Sequence, residues 1–211
     1  MADRYLERIV SYLACTSGLG LAYWLYPDDI LRIEAYVDAD HAGCPFSARS
    51  TSGQCVYLRG DKGSQALVAW SSHRQKCVAT STGEAELVAI GDMGRRYILP
   101  LSAAFEQMLK VSVPAIVATD SAAALSAAIS GVSASMKYLR KNHRISIAAV
   151  RDYQEEVGLR YIKIDGTQNP ADILTKALDP GRFASLRSML GVCAFDSLSN
   201  LPPDLPTACT P

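Results

Sequence analysis

Three consecutive segments whose composition is typical of β-strands constrain the fold of this chain more than any other feature. They cover residues 31–38, 53–59 and 65–71. The first alternates with the period of two that is typical of half-buried β-strands, the second is β-branched and aromatic, and the third is a further apolar run. Residues 60–63, Gly-Asp-Lys-Gly, are suited to a hairpin connection between the last two segments. The sequence therefore predicts three antiparallel strands in the first half of the chain.

Helices and strands alternate in the second half. A helix is expected from about Thr82, its N-cap, to Leu99, with Pro100 stopping or kinking it before a helical stretch to about Leu109. Four further elements are expected: a strand at residues 115–119, a small Ala-rich helix from residue 121, an amphipathic helix at 143–156 and a last strand at 158–164. This order predicts an α/β fold with a mixed sheet and helices on its faces.

The two ends of the chain differ from this central part. Residues 4–14 predict an amphipathic helix, which Gly18 and Gly20 should end, and residues 21–26 predict a short strand. After Gly191 the chain becomes rich in proline, a composition that favours disorder.

The overall charge of the chain is balanced. It has 21 basic and 21 acidic residues among 211, so its formal net charge is zero. A free-standing nucleic-acid binder is more often basic, because contacts to phosphates supply much of its affinity. Tight autonomous binding is therefore disfavoured, whereas an acidic metal site flanked by local basic patches remains compatible with this composition.

The cysteines and the apolar segments indicate the compartment. The six cysteines contain no C-x-x-C pair, which favours reduced thiols in an intracellular protein over a zinc site or a secreted disulfide framework. The longest weakly polar stretch, residues 12–27, is too short and too broken to span a membrane. We expect a cytoplasmic or nuclear protein that is not secreted.

Four carboxylates are the candidate functional groups. Asp38 and Asp120 lie at the ends of predicted strands, Glu86 lies in the first turns of a predicted helix, and Asp172 opens a short helix after an Asn-Pro pair. Such acids can converge into an oxygen cage for hard divalent cations. Two cations held about 3.5–4 Å apart are a common means of cleaving phosphodiesters. Any one of these acids, taken alone, could equally be a capping or surface residue.

A series of motifs carries a family resemblance. Taken together and in this order, the motifs resemble the ribonuclease H domain of copia-type retrotransposon polyproteins over about residues 31–190: Y-V-D-A-D-H-A-G, R-S-T-S-G, W-S-S-H-R-Q-K, S-T-G-E-A-E-L-V-A-I, A-T-D-S-A-A-A-L and N-P-A-D-I-L-T-K. Residues 4–26 resemble the segment that joins reverse transcriptase to ribonuclease H. The resemblance implies a ribonuclease H-like fold with a five-stranded mixed sheet. It also implies three regions: a remnant of the reverse transcriptase connection at residues 1–28, the ribonuclease H-like domain at residues 29–192 and a Pro-rich tail at residues 193–211.

The resemblance also implies a reaction. Asp38, Glu86, Asp120 and Asp172 would bind two Mg²⁺ or Mn²⁺ ions, one activating water and the other stabilising the leaving 3′-oxygen. The protein would be an endonuclease that hydrolyses the RNA strand of RNA–DNA hybrids during reverse transcription. Its partners would be the hybrid and the reverse transcriptase portion of the same polyprotein, in a virus-like particle in the cytoplasm or in the nucleus.

Substrate contacts are expected around this site. The candidates are polar or basic residues within or after these motifs and in the basic run of residues 137–144, namely Arg49, Ser50, Thr51, Ser52, Arg74, Lys76, Ser121 and Lys141. Packing at a strand start and a solvated helix entry are the competing interpretations. Asp40 is an auxiliary acid whose alternative role is turn formation. Glu84 should face solvent, because it lies about 200° around the helix from Glu86.

Two other functions compete with hybrid cleavage. One is a non-catalytic nucleic-acid-binding or scaffolding remnant of a decayed element, which the loss of a carboxylate would have supported. The other is DNA strand transfer on the same fold, which the fourth acid at a helix start and the lack of a Cys/His zinc module disfavour. The loop before Asp172 has no histidine, and His143 has no assigned role.

Overall fold

A five-stranded mixed sheet forms the centre of the protein. The computed structural model describes residues 2–76, 78–133 and 146–196. After a short first strand, β1 (Leu19–Leu21), the sheet is built from β2 (Leu31–Asp40), β3 (Thr51–Gly60), β4 (Gln65–Arg74), β5 (Ala115–Thr119) and β6 (Arg160–Lys163). The strand order is β4-β3-β2-β5-β6, in which β4, β3 and β2 pair antiparallel while β2, β5 and β6 pair parallel. The predicted fold class, a ribonuclease H-like mixed sheet, is confirmed.

Helices and turns cover both faces of the sheet. The α-helices are α1 (Ala2–Cys15), α2 (Thr82–Met93), α3 (Leu99–Leu109), α4 (Ala122–Ser130), α5 (Ile147–Glu156) and α6 (Pro180–Met189). Side chains of α2, α4 and α5 pack on one face, where Ile33, Ala35 and Val37 of β2 are completely buried. Alternate residues of a strand point to opposite faces, so the side chains of Tyr36 and Asp38 lie on the other side.

The second face is covered by the C-terminal part of the chain. A 3₁₀ turn (Pro170–Leu174) and the end of α6 lie over β2 and β3, and Ala171 is buried in the same apolar cluster as Tyr36 and Tyr57. The Tyr57 hydroxyl donates a hydrogen bond to the Met189 carbonyl at 3.2 Å. This packing brings the turn that contains Asp172 across the sheet.

The short strand near the N-terminus differs from its prediction. It was expected at residues 21–26, but it is β1 (Leu19–Leu21), and it pairs antiparallel with β7 (Val192–Ala194). Gly20 therefore lies within the strand and does not end the preceding helix, which stops at Cys15. The partner strand explains the shift, because its register selects which residues pair. The pairing joins the segment before β2 to the chain that follows α6.

The first turn of α2 corrects two expectations. Its N-cap is Ser81, not Thr82, since the Ser81 hydroxyl accepts a hydrogen bond from the Glu84 amide. Glu84 does not face solvent: it is 3% exposed, and its carboxylate accepts hydrogen bonds from the Thr80 amide and hydroxyl. The sequence S-T-G-E thus forms a variant of the capping box, in which the carboxylate three residues into the helix turns back to Thr80, the residue before the N-cap. Helical angles alone did not predict this orientation.

The expected interruption near Pro100 is confirmed. It takes the form of a π-helical turn (Gly94–Ile98) between α2 and α3, closed by a hydrogen bond from the Leu99 amide to the Gly94 carbonyl. Proline has no amide hydrogen and disfavours a regular helix before it, so the wider turn accommodates it without breaking the helical path.

Two expectations fall outside the described residues. They concern the start of the helix predicted at 143–156, of which the structure describes α5 (Ile147–Glu156), and the tail beyond residue 196. Among the residues that are described, no helix is long and apolar enough to cross a membrane.

Candidate metal centre

Three carboxylates converge at one edge of the sheet. Asp38 lies near the end of β2, Asp120 follows β5, and Glu86 lies in the second turn of α2. Since β2 and β5 are parallel neighbours, their carboxyl ends meet at the same edge. Each of the three residues offers a carboxylate oxygen, and these oxygens all lie within 4.8 Å of one another. This is the arrangement that the sequence predicted for Asp38, Glu86 and Asp120.

Burial makes this cluster costly without a cation. Asp38 is 1% exposed and Glu86 is 4% exposed. Burial, followed by the neighbouring charges of Asp38 and Asp120, raises the pKa of Glu86 to about 9. Burial also raises the pKa of Asp38, and it outweighs the hydrogen bonds that this carboxylate accepts. Three close carboxyl groups cannot all ionise in such surroundings unless a positive charge compensates them.

The hydrogen bonds of Glu86 show a free ligand position. Its Oε1 accepts a hydrogen bond from the Ala39 amide at 3.3 Å. Its Oε2 is buried and has no hydrogen-bond partner among the described residues. A buried oxygen without a partner, beside two further carboxylates, fits a hard divalent cation that prefers oxygen ligands. The residues present therefore suit Mg²⁺ or Mn²⁺.

The fourth acid, Asp172, lies beside this cluster and is not one of its three close members. It belongs to the 3₁₀ turn, whose N-cap is Asn169, as the Asn-Pro sequence predicted. The Asn169 side chain accepts from the Ala171 amide and donates to the Val37 carbonyl at 2.9 Å, which fixes the turn onto β2. The approach of Asp172 to Asp38 thus depends on a contact between residues that are distant in sequence.

A lysine connects Asp172 to the cluster. Lys176 Nζ lies 3.1 Å from Asp38 Oδ1 and 3.0 Å from Asp172 Oδ1. Burial alone would lower its pKa, but hydrogen bonds and charge interactions with the two aspartates raise it. Thr175 donates a hydrogen bond to the other oxygen of Asp38. Sequence reasoning assigned no role to either residue, although T-K ends the last motif and Lys176 lies about one helical turn after Asp172.

Arg182 is a second residue that the sequence did not indicate. One of its terminal nitrogens lies 3.3 Å from Asp172 Oδ2 and 2.9 Å from the Gly166 carbonyl, and the other donates to the Thr167 carbonyl. Arg182 thus connects α6 to both Asp172 and the preceding loop. That loop passes beside Asp120, since a Cβ on Gly166 would lie 3.0 Å from Asp120 Oδ2.

The predicted substrate-binding residues divide into exposed and buried ones. Arg49, Arg74 and Lys76 are exposed and Thr51 is half-buried. Ser50 and Ser52 are completely buried and hold groups of the protein itself, because their hydroxyls accept hydrogen bonds from the Ala42 amide and the Gln75 side chain. These two serines have no surface on which to meet a substrate in this structure.

The other predicted residues have local roles or fall outside the described residues. The Ser121 hydroxyl caps α4 by accepting from the Ala124 amide. Asp40 lies against the following turn, where a Cβ on Gly43 would be 1.8 Å from its carboxylate, and this favours the turn-forming role. Lys141 lies outside the described residues.

The close packing of the 3₁₀ turn on β3 depends on Gly53. A Cβ there would lie 2.7 Å from the Ala171 carbonyl oxygen and 2.6 Å from Thr175 Cγ2, so Gly53→Ala must push the turn away from Asp38. We expect the substitution to lower the free energy of unfolding by about 1–3 kcal/mol, measured by urea denaturation. Gly18→Ala is the matched control, because a Cβ there meets nothing within 4 Å. Equal stability of both variants would contradict this packing.

The charge of Lys176 should oppose binding of a divalent cation by Asp38 and Asp172. Lys176→Met is expected to tighten Mg²⁺ binding about tenfold, because the two carboxylates lose charge-assisted hydrogen bonds that compete with the ion. The measurement is the melting temperature as a function of Mg²⁺ concentration. Lys62→Met, in the hairpin between β3 and β4, serves as the control. Unchanged or weaker Mg²⁺ binding by Lys176→Met would count against this competition.

The sheet order and the carboxylate cluster define a protein of the ribonuclease H-like fold. Its homologues are Pol polyproteins of copia-like plant transposons, as the motif series predicted. The chain is 30% identical over 185 residues to the "Retrovirus-related Pol polyprotein from transposon TNT 1-94" of Nicotiana tabacum, an alignment that covers 87% of this chain and 13% of the relative. It is 29% identical over 188 residues to the corresponding polyprotein from transposon RE1 of Arabidopsis thaliana, which covers 89% of this chain and 12% of the relative.

The chain therefore spans about one eighth of the length of these relatives. Among solved structures, it is similar to LC11-RNase H1, isolated from compost, with 20% identity and a TM-score of 0.48 over 68% of this chain and 92% of that chain. No protein-family model matches the sequence.

Proposed function

We propose that this chain is a metal-dependent endonuclease that hydrolyses the RNA strand of RNA–DNA hybrids during retrotransposon reverse transcription. The observation that carries the proposal is the cluster of Asp38, Glu86 and Asp120, whose carboxylate oxygens lie within 4.8 Å of one another. The buried, unpartnered Oε2 of Glu86 adds support, since it needs a cation or a proton.

The residues of the site have separate roles in the proposed two-metal mechanism. Bound Mg²⁺ or Mn²⁺ ions would supply an activated water and stabilise the leaving 3′-oxygen. Asp38, Glu86 and Asp120 would hold them, and Asp172 would complete the second position. Lys176 holds Asp38 and Asp172 toward each other, and it adds a positive charge where an anionic phosphate would arrive.

The nucleic acid would lie along the face that carries Asp38. Cross-strand pairing sets Asp38 beside Gly53 in one row of the sheet. The row two residues further along β2 contains Asp40, Thr51 and Arg74, which pair in that order across β2, β3 and β4. The two rows are about 7 Å apart, as the rise per residue of a strand requires. We propose that Thr51 and Arg74 hold phosphates next to the scissile phosphate, together with the neighbouring basic side chains of Arg49 and Lys76. Ser121 and Lys141 are proposed as further contacts.

Discrimination between the strands would rest on chemistry other than base sequence. The 2′-hydroxyls of the RNA strand and the shape of the hybrid duplex distinguish it from DNA.

We further propose that the reverse transcriptase portion of the same polyprotein is a partner. In this proposal residues 1–28 derive from the connection to reverse transcriptase, residues 29–192 form the nuclease domain and residues 193–211 form a tail. The proposed setting is the cytoplasm, within a virus-like particle, or the nucleus.

The test is cleavage of a labelled RNA–DNA hybrid in Mg²⁺ or Mn²⁺. We expect the RNA strand to be cut, the DNA strand to stay intact, and EDTA to stop the reaction. A DNA duplex of the same sequence is the control substrate. Binding of the hybrid without cleavage in either ion would favour the non-catalytic alternative and would contradict the proposed enzyme.

A further inference from the structure

The loop between β2 and β3 presents an aromatic side chain to solvent. Phe46 is 97% exposed, which makes it the most exposed of the large apolar side chains described. The loop leaves the sheet directly after Asp40, at the edge where the three carboxylates converge. Single exposed apolar residues are common on protein surfaces, so the position and support of Phe46 decide its meaning.

The backbone of this loop is held in a defined conformation. The Cys44 amide donates to the Arg49 carbonyl at 3.2 Å, and the Ser47 and Ala48 amides both donate to the Cys44 carbonyl, at 3.3 and 2.8 Å. Cys44 itself is 7% exposed and anchors the loop. Ala48 adopts a positive φ of 50°, which costs energy for a residue other than glycine. Phe46 therefore lies in a loop whose backbone is fixed by hydrogen bonds.

Positive charge surrounds the base of the loop. Arg49 follows it directly, and Arg74 lies across the sheet beside Thr51. The Gln75 amide donates to the Ser50 carbonyl at 2.8 Å, which brings Lys76 to the same margin. The side chains of Arg49, Arg74 and Lys76 are all exposed. An aromatic side chain among basic residues matches a nucleic-acid strand, which offers phosphates and the flat faces of bases.

We propose that Phe46 contacts the bound nucleic acid by packing against a base or sugar beyond the phosphates held by the basic margin. This inference rests on the proposed function, because it takes the strand bound at Asp38 as the one that Phe46 meets. The contact adds affinity that does not depend on charge, which suits a chain whose formal net charge is zero.

The test compares hybrid binding by variants in an Asp38→Asn background, which suppresses cleavage in Mg²⁺. Fluorescence anisotropy of a labelled hybrid is measured at several salt concentrations. We expect Phe46→Ala to raise the dissociation constant about 5- to 100-fold without changing its salt dependence, and Phe46→Trp to restore affinity. Arg74→Ala should instead reduce the slope of log affinity against log salt by about one.

Met108→Ala is the matched control. Met108 is 74% exposed and lies at the end of α3, before the start of β5. The three carboxylates lie beyond the opposite, C-terminal end of β5. Equal hybrid affinity of Phe46→Ala and the parent overturns the inference and leaves the proposed function standing. Unchanged hybrid affinity together with weaker association with a reverse transcriptase polypeptide also overturns it, because the loop would then bind protein. No detectable hybrid binding by any variant, with wild type failing to cleave, overturns both.

Discussion

Asp38→Asn is expected to reduce hybrid cleavage by at least about 10³-fold while the protein stays folded. Asp38 is the central acid of the site, because it lies beside Glu86 and Asp120 and contacts Lys176 and Thr175. Charge stabilisation by a bound metal is worth several kcal/mol in a transition state, and each 1.36 kcal/mol changes a rate tenfold. Asparagine keeps the size of the side chain but removes the charge that would hold the cation. Single-turnover cleavage of a labelled hybrid in Mg²⁺ measures the effect.

The stability of the same variant separates catalysis from folding. Asn can still accept the hydrogen bond of Thr175, so the free energy of unfolding should change by only about 1 kcal/mol. Asp61→Asn is a suitable control, because Asp61 pairs with Arg32 at the hairpin that joins β3 and β4, away from the three carboxylates. Cleavage by Asp38→Asn at the wild-type rate would show that the site is assigned wrongly. A loss of folding would show instead that Asp38 is mainly structural.

Glu86 should make the stability of the metal-free protein fall as the pH rises. Its pKa is raised from an ordinary 4.5 to about 9, so the folded state binds a proton that the unfolded state releases. The contribution is complete below about pH 4.5 and is lost progressively up to about pH 9, with a slope of about 1.4 kcal/mol per pH unit at most. Urea denaturation in EDTA at pH 5, 6, 7 and 8 measures this slope.

Two comparisons identify Glu86 as the source. Glu86→Gln stays neutral throughout, so most of the slope should disappear and the variant should be more stable than wild type at pH 8. Mg²⁺ should stabilise wild type increasingly as the pH rises, because binding requires the ionised carboxylate, and it should stabilise Glu86→Gln much less. An identical slope in both proteins would remove Glu86 from the cluster that the structure describes.

The sequence predicted most secondary structure because its signals are local. The strand signals of β2, β3 and β4, alternation in the first and apolar runs in the other two, need only neighbouring residues, and so does the Asn169 cap of the turn that carries Asp172. The errors occurred where another part of the chain decides. The first short strand shifted because β7 selects its register, and Glu84 turned inward because it caps its own helix.

The candidate site was predicted in part for the same reason. A strand end or a helix start places an acid near one edge of the sheet, so Asp38, Glu86 and Asp120 could be chosen from the sequence. Ser50 and Ser52 could not be distinguished from Arg49 in this way. Their burial depends on the neighbouring strand and on Gln75, which no local pattern reveals.

By itself the sequence determined the order of strands and helices and the identity of the acids, since both follow from residue type and spacing. Only the tertiary structure decided how these acids are compensated. Gly53 lets the C-terminal turn pack closely on β3, and this brings Lys176 between Asp38 and Asp172 while Arg182 holds the turn from α6. The reason is physical: contacts between residues more than 100 positions apart arise from the packing of complete elements, and electrostatic effects at short distance depend on that packing.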